Sequence, residues 1–189
     1  GFISLREAII AANNTANGGS PDEIHFNIPT IDPGYVDPDA IPANGDEYWT
    51  IQVSSVLPAI TEAVVLDATT QTGFSGTPLI ELNGSLTGGA SHGIEINSNG
   101  STIRGLAINR FQDGIYLLGT SANNLIAGNY LGTDVTGTVA VGNTRAGLVL
   151  AFDSANNTIG GTTAADRNVI SGNAIDGINI QGNSANNVV

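Results

Sequence analysis

The sequence contains no cysteine, no methionine and, among its five basic residues, no lysine. Without thiols there is no disulfide framework, no cysteine nucleophile and no thiolate metal site, which excludes zinc ribbons and cysteine redox chemistry. The five arginines face 17 acidic residues, for a formal charge of −12. A chain this acidic lacks the basic face that holds phosphates, so nucleic acid is excluded as a partner, and anionic membrane surfaces are disfavoured on the same ground. No apolar run reaches the ~18 residues that cross a bilayer, so no membrane insertion is expected, and no basic-then-apolar leader opens the chain. It opens at Gly1 and not Met, as expected of a piece excised from something longer. Charged residues make up only 12% against 41% hydrophobic, over 189 residues. That is enough apolar surface for one packed domain.

What is present is a repeat. Gly93-Ile-Glu-Ile recurs as Gly114-Ile-Tyr-Leu, as Gly147-Leu-Val-Leu and as Gly177-Ile-Asn-Ile. From each of the last three glycines the chain runs a constant distance to the second member of an Asn-Asn pair, at Asn124, Asn157 and Asn187. A second element, Asn124-Leu-Ile-Ala-Gly-Asn-Tyr-Leu131, matches Asn168-Val-Ile-Ser-Gly-Asn-Ala-Ile175, with a degenerate copy at Ser101–Ile108. Aliphatic residues alternating with small or polar ones, between Gly/Asn/Ser turns, predict short strands. Ile94 and Ile96, Ile115 and Leu117, Leu148 and Leu150, and Ile178 and Ile180 then point inward as pairs. Stacked at the ~4.8 Å inter-strand spacing, they form continuous apolar rows. The positions between them, Glu95, Tyr116, Val149 and Asn179, point outward, with neither an aromatic platform nor a threonine row. Asn124, Asn157 and Asn187, at equivalent turns, predict a structural ladder of side-chain amides.

The pattern predicts an all-β fold, a parallel β-helix solenoid, forming one domain over residues 1–189. Residues 1–20 are read as a short N-terminal capping helix and turn: Ser4 is the N-cap, Glu7 completes a capping box, and Leu5 and Ile9 face inward. Residues 21–92 are read as irregular first coils with a Pro- and Asp-rich surface excursion at 29–47, and 93–189 as regular repeats whose C-terminal end has no cap.

Carbohydrate-active enzymes on such a scaffold need carboxylates clustered on one face, either with Ca²⁺ and a basic residue or as an acid/base pair. The candidate catalytic residues are Arg110, Asp113 and Asp134, with Arg145 in the adjoining insertion. Asp113 recurs as Asp176 before the strand glycine, which reads as a turn residue bonding to nearby amides. His25 reads as the solvent side of a strand and His92 as a turn. Asp37, Asp39 and Asp46, with Asp32 and Glu47, offer oxygen donors for Ca²⁺, although their spacing matches no calcium loop. No other cofactor is implied.

Ser4-Leu-Arg-Glu-Ala-Ile with Ala-Ala-Asn13 resembles the Cys-Ser-Leu-Arg-Glu-Ala segment near the start of many bacterial secreted and cell-surface β-helix proteins. Leu57-Pro-Ala-Ile-Thr, Gly76–Leu82, Arg104–Arg110, Gly128–Thr138 and Asn168–Asn173 are similar to the repeats of the same proteins. Ile3 stands where that family usually has Cys, which points to apolar packing at this position. The resemblance implies a right-handed parallel β-helix of the pectate-lyase-like class, as one module of an exported protein. It implies no particular reaction, since that fold hosts lyases, hydrolases and adhesins alike. The leading expectation is a non-catalytic extracellular or cell-surface module, structural or adhesive, with end-to-end assembly into filaments as a variant. The alternatives are a polysaccharide lyase or glycoside hydrolase, and a carbohydrate-binding module. The partners expected are other copies of the chain, through open ends, or extracellular glycans.

Overall fold

The computed structural model describes residues 3–41 and 44–189. Gly1 and Phe2, and Pro42 and Ala43 within the stretch at 29–47, lie outside the described residues. The single α-helix among the described residues, α1 (Leu5–Asn14), is set by its first turn. Ser4 Oγ accepts from the Glu7 amide at 3.2 Å while the Glu7 carboxylate accepts from the Ser4 amide at 2.8 Å, so two orphan donors are met reciprocally. The helix buries Leu5, Ile9 and Ala12 on one face. Arg6 donates to the carbonyls of Ser55 and Val56, and Asn13 to that of Ala59, fixing the helix against the chain beneath it.

The strands are β1 (Asp22–His25), β2 (Tyr35–Val36), β3 (Tyr48–Gln52), β4 (Val64–Asp67), β5 (Ile80–Asn83), β6 (His92–Ile96), β7 (Thr102–Arg104), β8 (Leu106–Asn109), β9 (Asp113–Leu117), β10 (Leu125–Ala127), β11 (Tyr130–Leu131), β12 (Ala146–Leu150), β13 (Thr158–Ile159), β14 (Val169–Ile170) and β15 (Asp176–Ile180). They form three sheets, ordered β1-β4-β7-β10-β13, β2-β3-β5-β8-β11-β14 and β6-β9-β12-β15. Every pairing between these strands is parallel except that of β2 with β3. From β4 onward, successive strands fall into the three sheets in turn, and each set of three makes one rung.

The expectation of an all-β chain wound as a single right-handed β-helix is therefore corrected. The architecture is mixed α/β: among the described residues, one α-helix with fifteen strands in three separate, mostly parallel sheets, one of them opened by an antiparallel pair. The physical reason is that a sequence repeat reports which residues pair within a sheet and is silent about how many sheets there are and how they assemble. The corners that divide each rung take positive φ, with Asn123, Asn156 and Asn186 at 58°, 57° and 56°. Gly128 is at 66°, and a Cβ there would lie 2.7 Å from the Ala165 carbonyl oxygen, so both backbone angle and space require glycine.

In the third sheet, Ile94, Ile115, Leu148 and Ile178 are successive register partners, as are Ile96, Leu117, Leu150 and Ile180. The first three of each row are buried in the main core, each side chain contributing about 1.5–3 kcal/mol. In the last strand Ile178 is half-buried and Ile180 is 50% exposed. The row Glu95, Tyr116, Val149, Asn179 departs from the simple outward reading: Tyr116 is 8% and Val149 1% exposed, in a second cluster with Ala146, Ala151 and Leu118. Tyr116 is covered because the His92 ring stacks on it at 4.2 Å and the Arg145 guanidinium lies 5.8 Å over it.

Candidate functional site

The three candidate catalytic residues are engaged in separate contacts. Asp113, on β9, is fully buried. Its carboxylate accepts from Arg145 Nε at 2.8 Å, from a second Arg145 nitrogen and from the Ala146 amide at 3.1 Å, and His92 Nδ1 lies 2.9 Å away. Burial alone pushes the Asp113 carboxyl up; the contacts from His92 and Arg145 and their charges outweigh it, holding the group below the usual aspartate value. The Asp113 partnership in turn raises Arg145 above its ordinary value.

Arg110 turns elsewhere. At φ 61° its side chain reaches Glu81, at 3.2 Å, and Asn109 Oδ1, at 2.8 Å. Glu81, 7% exposed on β5, also accepts from Thr50 Oγ1 and Asn109 Nδ2. Beside this group burial, followed by the charges of Glu81 and Asp134, pushes the Tyr48 hydroxyl up, with Arg110 opposing. Asp134 organises its own turn, accepting from Thr136 Oγ1 at 2.8 Å and from the amides of Thr138 and Val139. No pair among Arg110, Asp113 and Asp134 shares a hydrogen bond or ion pair. An open groove of about 980 Å³ between α1 and β1 is lined by none of the three. His25 is exposed, with Nε2 3.2 Å from Glu23.

Sequence reasoning missed Glu81 and the link from His92 to Asp113. The second was visible in the repeats: His92, Asp113, Ala146 and Asp176 each precede a repeat glycine, and the same position in successive copies becomes neighbouring space.

The Pro-rich stretch does bring Asp37, Asp39 and Asp46 together, with one oxygen from each lying within 4.8 Å of the others. Asp39 is tied to the Ile41 amide and Asn44 Nδ2, each at 2.9 Å, while the Asp37 Oδ1 atom is buried without a hydrogen-bond partner. Loss of hydration first, then the carboxylates of Asp39, Glu47 and Asp37, push the Asp46 carboxyl up. Three oxygens at this separation suit a hard cation such as Ca²⁺. Exposed acidic residues also stand this close without one.

The asparagines do the most extensive work. The amide of Ser101 donates to Asn124 Oδ1, that of Asn124 to Asn157 and that of Asn157 to Asn187. Each side chain in turn donates back to a carbonyl of the previous rung, at Ser98, Ser121 and Ser154. Two further ladders run beside this one: Leu106 to Asn129 to Asn168, and Phe111 to Asn143 to Asn173. The sequence match of Asn124–Leu131 to Asn168–Ile175 joins two different corners, because Asn124 opens β10 in the first sheet and Asn168 opens β14 in the second. The same Asn-strand-Gly unit serves at both, so pairing copies by similarity alone hides two of the three ladders. Interior members Asn124, Asn129, Asn143 and Asn157 are buried.

Comparison with protein-family models, with curated proteins and with solved structures finds no match.

Proposed function

We propose that the chain is a non-catalytic structural or adhesive module that works outside the cell. The observation that carries this reading is the fate of its charged groups. Asp113 is sealed among Arg145, His92 and a backbone amide; Arg110 is held by Glu81; Asp134 is consumed by its own turn. A general acid or base must reach a substrate proton within hydrogen-bond distance, and a fully buried carboxylate whose oxygens are already met has no such reach. The asparagine ladders, by contrast, extend along the rungs and serve cohesion alone. A chain without Cys, Met or Lys, rich in Asn, Thr, Gly and Ser, and the likeness of its first residues to exported proteins, support an extracellular location.

The test is a screen of acidic and neutral glycans for lyase and hydrolase products. No turnover is expected. Product formation that is lost in Asp134→Ala, with the melting temperature unchanged, would replace this reading with the enzymatic one.

A further inference from the structure

The rungs repeat their corners as well as their strands. Leu117, Leu150 and Ile180 are register partners, so the positions two residues on, Gly119, Phe152 and Gly182, are equivalents in successive rungs. The turn is the same in all three: the hydroxyls of Ser121, Ser154 and Ser184 donate to the carbonyls of Leu118, Ala151 and Gln181, at 2.6, 2.7 and 2.9 Å. All three positions take the left-handed conformation, at φ 68°, 53° and 69°. Glycine enters that conformation freely, whereas a bulky aromatic does so only against the clash of its own Cβ. Asp153 follows at φ 72°, so the middle corner holds two strained side chains in succession where the corners beside it place only a glycine in that region.

The fold gains little in return. Phe152 is 61% exposed, and its equivalents are glycines, so no side chain covers its ring from those positions. Asp153 is also exposed, and its carboxylate takes part in no hydrogen bond or ion pair among the described residues. A lone exposed phenylalanine is ordinary on a protein surface. One kept where the same turn is made twice with glycine is a backbone outlier, and such outliers point to function.

We propose that Phe152 and Asp153 form a receptor for an arginine side chain on a cationic protein partner. The inference rests on the adhesive reading above and names what such a module would hold. A guanidinium is planar: it stacks on an aromatic face and donates paired hydrogen bonds to a carboxylate, a combination that a compact ammonium does not match. The chain supplies both halves on adjacent residues, with no basic residue among 118–121, 151–155 or 181–185 to occupy them from within. The formal charge of −12 draws cations to the whole surface and leaves this corner to select among them. A neutral sugar would stack on the same ring but gain nothing from that charge.

The test uses the full chain with hexa-arginine, and hexalysine as the equally charged control, in about 0.15 M salt. Phe152→Gly copies the neighbouring corners and leaves the charge untouched. It is expected to weaken hexa-arginine binding by about three- to ten-fold, to change hexalysine binding by less than about two-fold, and to leave the melting temperature level or higher. Asp153→Asn is expected to weaken hexa-arginine binding too, and the Phe152 ring resonances of the native chain should move as that peptide is added. Equal affinity of the native chain and Phe152→Gly for hexa-arginine would overturn the proposal. So would a melting temperature several degrees lower in Phe152→Gly, because the ring would then serve the core, or equal losses for the two peptides, because the corner would then read charge alone. A neutral glycan bound through Phe152, with hexa-arginine indifferent to that residue, would assign the corner to sugars instead. Turnover in the glycan screen would sink the non-catalytic reading and leave the peptide affinities as they are, so the two failures are distinguishable.

Discussion

Asp113 and Asp46 are the same chemical group in opposite circumstances. Asp113 is sealed from water, yet its carboxyl is held below the usual value; Asp46 is exposed at the surface, yet its carboxyl is pushed up. In both, loss of hydration is the leading influence and favours the neutral form. What differs is the company. Asp113 meets a guanidinium, an imidazole and an amide, whereas Asp46 meets Asp39, Glu47 and Asp37. Asp113 has a guanidinium and a backbone amide as hydrogen-bond donors, whereas the loop at 29–47 brings the carboxylates of Asp37, Asp39 and Asp46 beside one another.

The largest expected effect comes from removing the partner and leaving the buried charge. Arg145→Leu strands the Asp113 carboxylate with only His92 and the Ala146 amide, and is expected to cost about 3–5 kcal/mol in urea unfolding at pH 7. A cost under about 1 kcal/mol would mean that the pocket admits water and that the contrast with the loop is one of degree.

Next in size is the interior of a ladder. Asn157→Ala removes the acceptor for two Asn124 donors and the bond to the Ser121 carbonyl, in a fully buried setting. About 2–3 kcal/mol is expected, since the stranded Asn124 amide has no route to water. Asn187→Ala, made where the ladder is half-buried, should cost less than half as much because water replaces the lost oxygen. Equal costs would show that the last rung is as dry as the inner ones.

The sequence makes local signals legible and leaves spatial ones out. The capping box at Ser4 and Glu7 is confined to one helical turn, and the alternation in Gly93-Ile-Glu-Ile is itself a strand pattern; both need only near neighbours. The second ladder escapes because the insertion at 132–145 changes the spacing between Asn129 and Asn168; the third keeps the same step as Asn157 to Asn187, and escapes because similarity matches Asn173 to Asn129 and not to Asn143. Glu81 escapes because its partners, Thr50, Asn109 and Arg110, lie in other rungs with no copied motif around them. The candidate set Arg110, Asp113 and Asp134 fails to converge for the same reason. Closeness along the chain carries little weight where contacts form one rung away, about thirty residues distant, as with Asp113 and Arg145.

Acid should separate the two kinds of carboxylate by sign. Asp113 has a folded value below its ordinary 3.8, so it contributes stability above that ordinary value, and the contribution disappears as pH falls toward the folded one. Below about pH 4 the urea midpoint of the native chain should therefore fall more steeply than that of Asp113→Asn, which has no such proton to take up. Parallel curves would show that Arg145 and His92 do not hold the charge.

The smallest effect belongs to the loop and has the opposite direction. Because the Asp46 carboxyl is raised in the folded chain, its charged form opposes folding at neutral pH, and the opposition fades as pH falls through the raised value. Asp46→Asn is expected to raise the melting temperature slightly at pH 7 in low salt. The gain should shrink as ionic strength rises, since at about 0.15 M charges are screened beyond about 8 Å, and it should vanish in acid once the native Asp46 is itself protonated. A lower melting temperature at pH 7 in every salt concentration would mean that the Asp46 carboxylate makes a bond worth more than the repulsion from Asp37, Asp39 and Glu47, and the loop would then resemble the Asp113 pocket instead of opposing it.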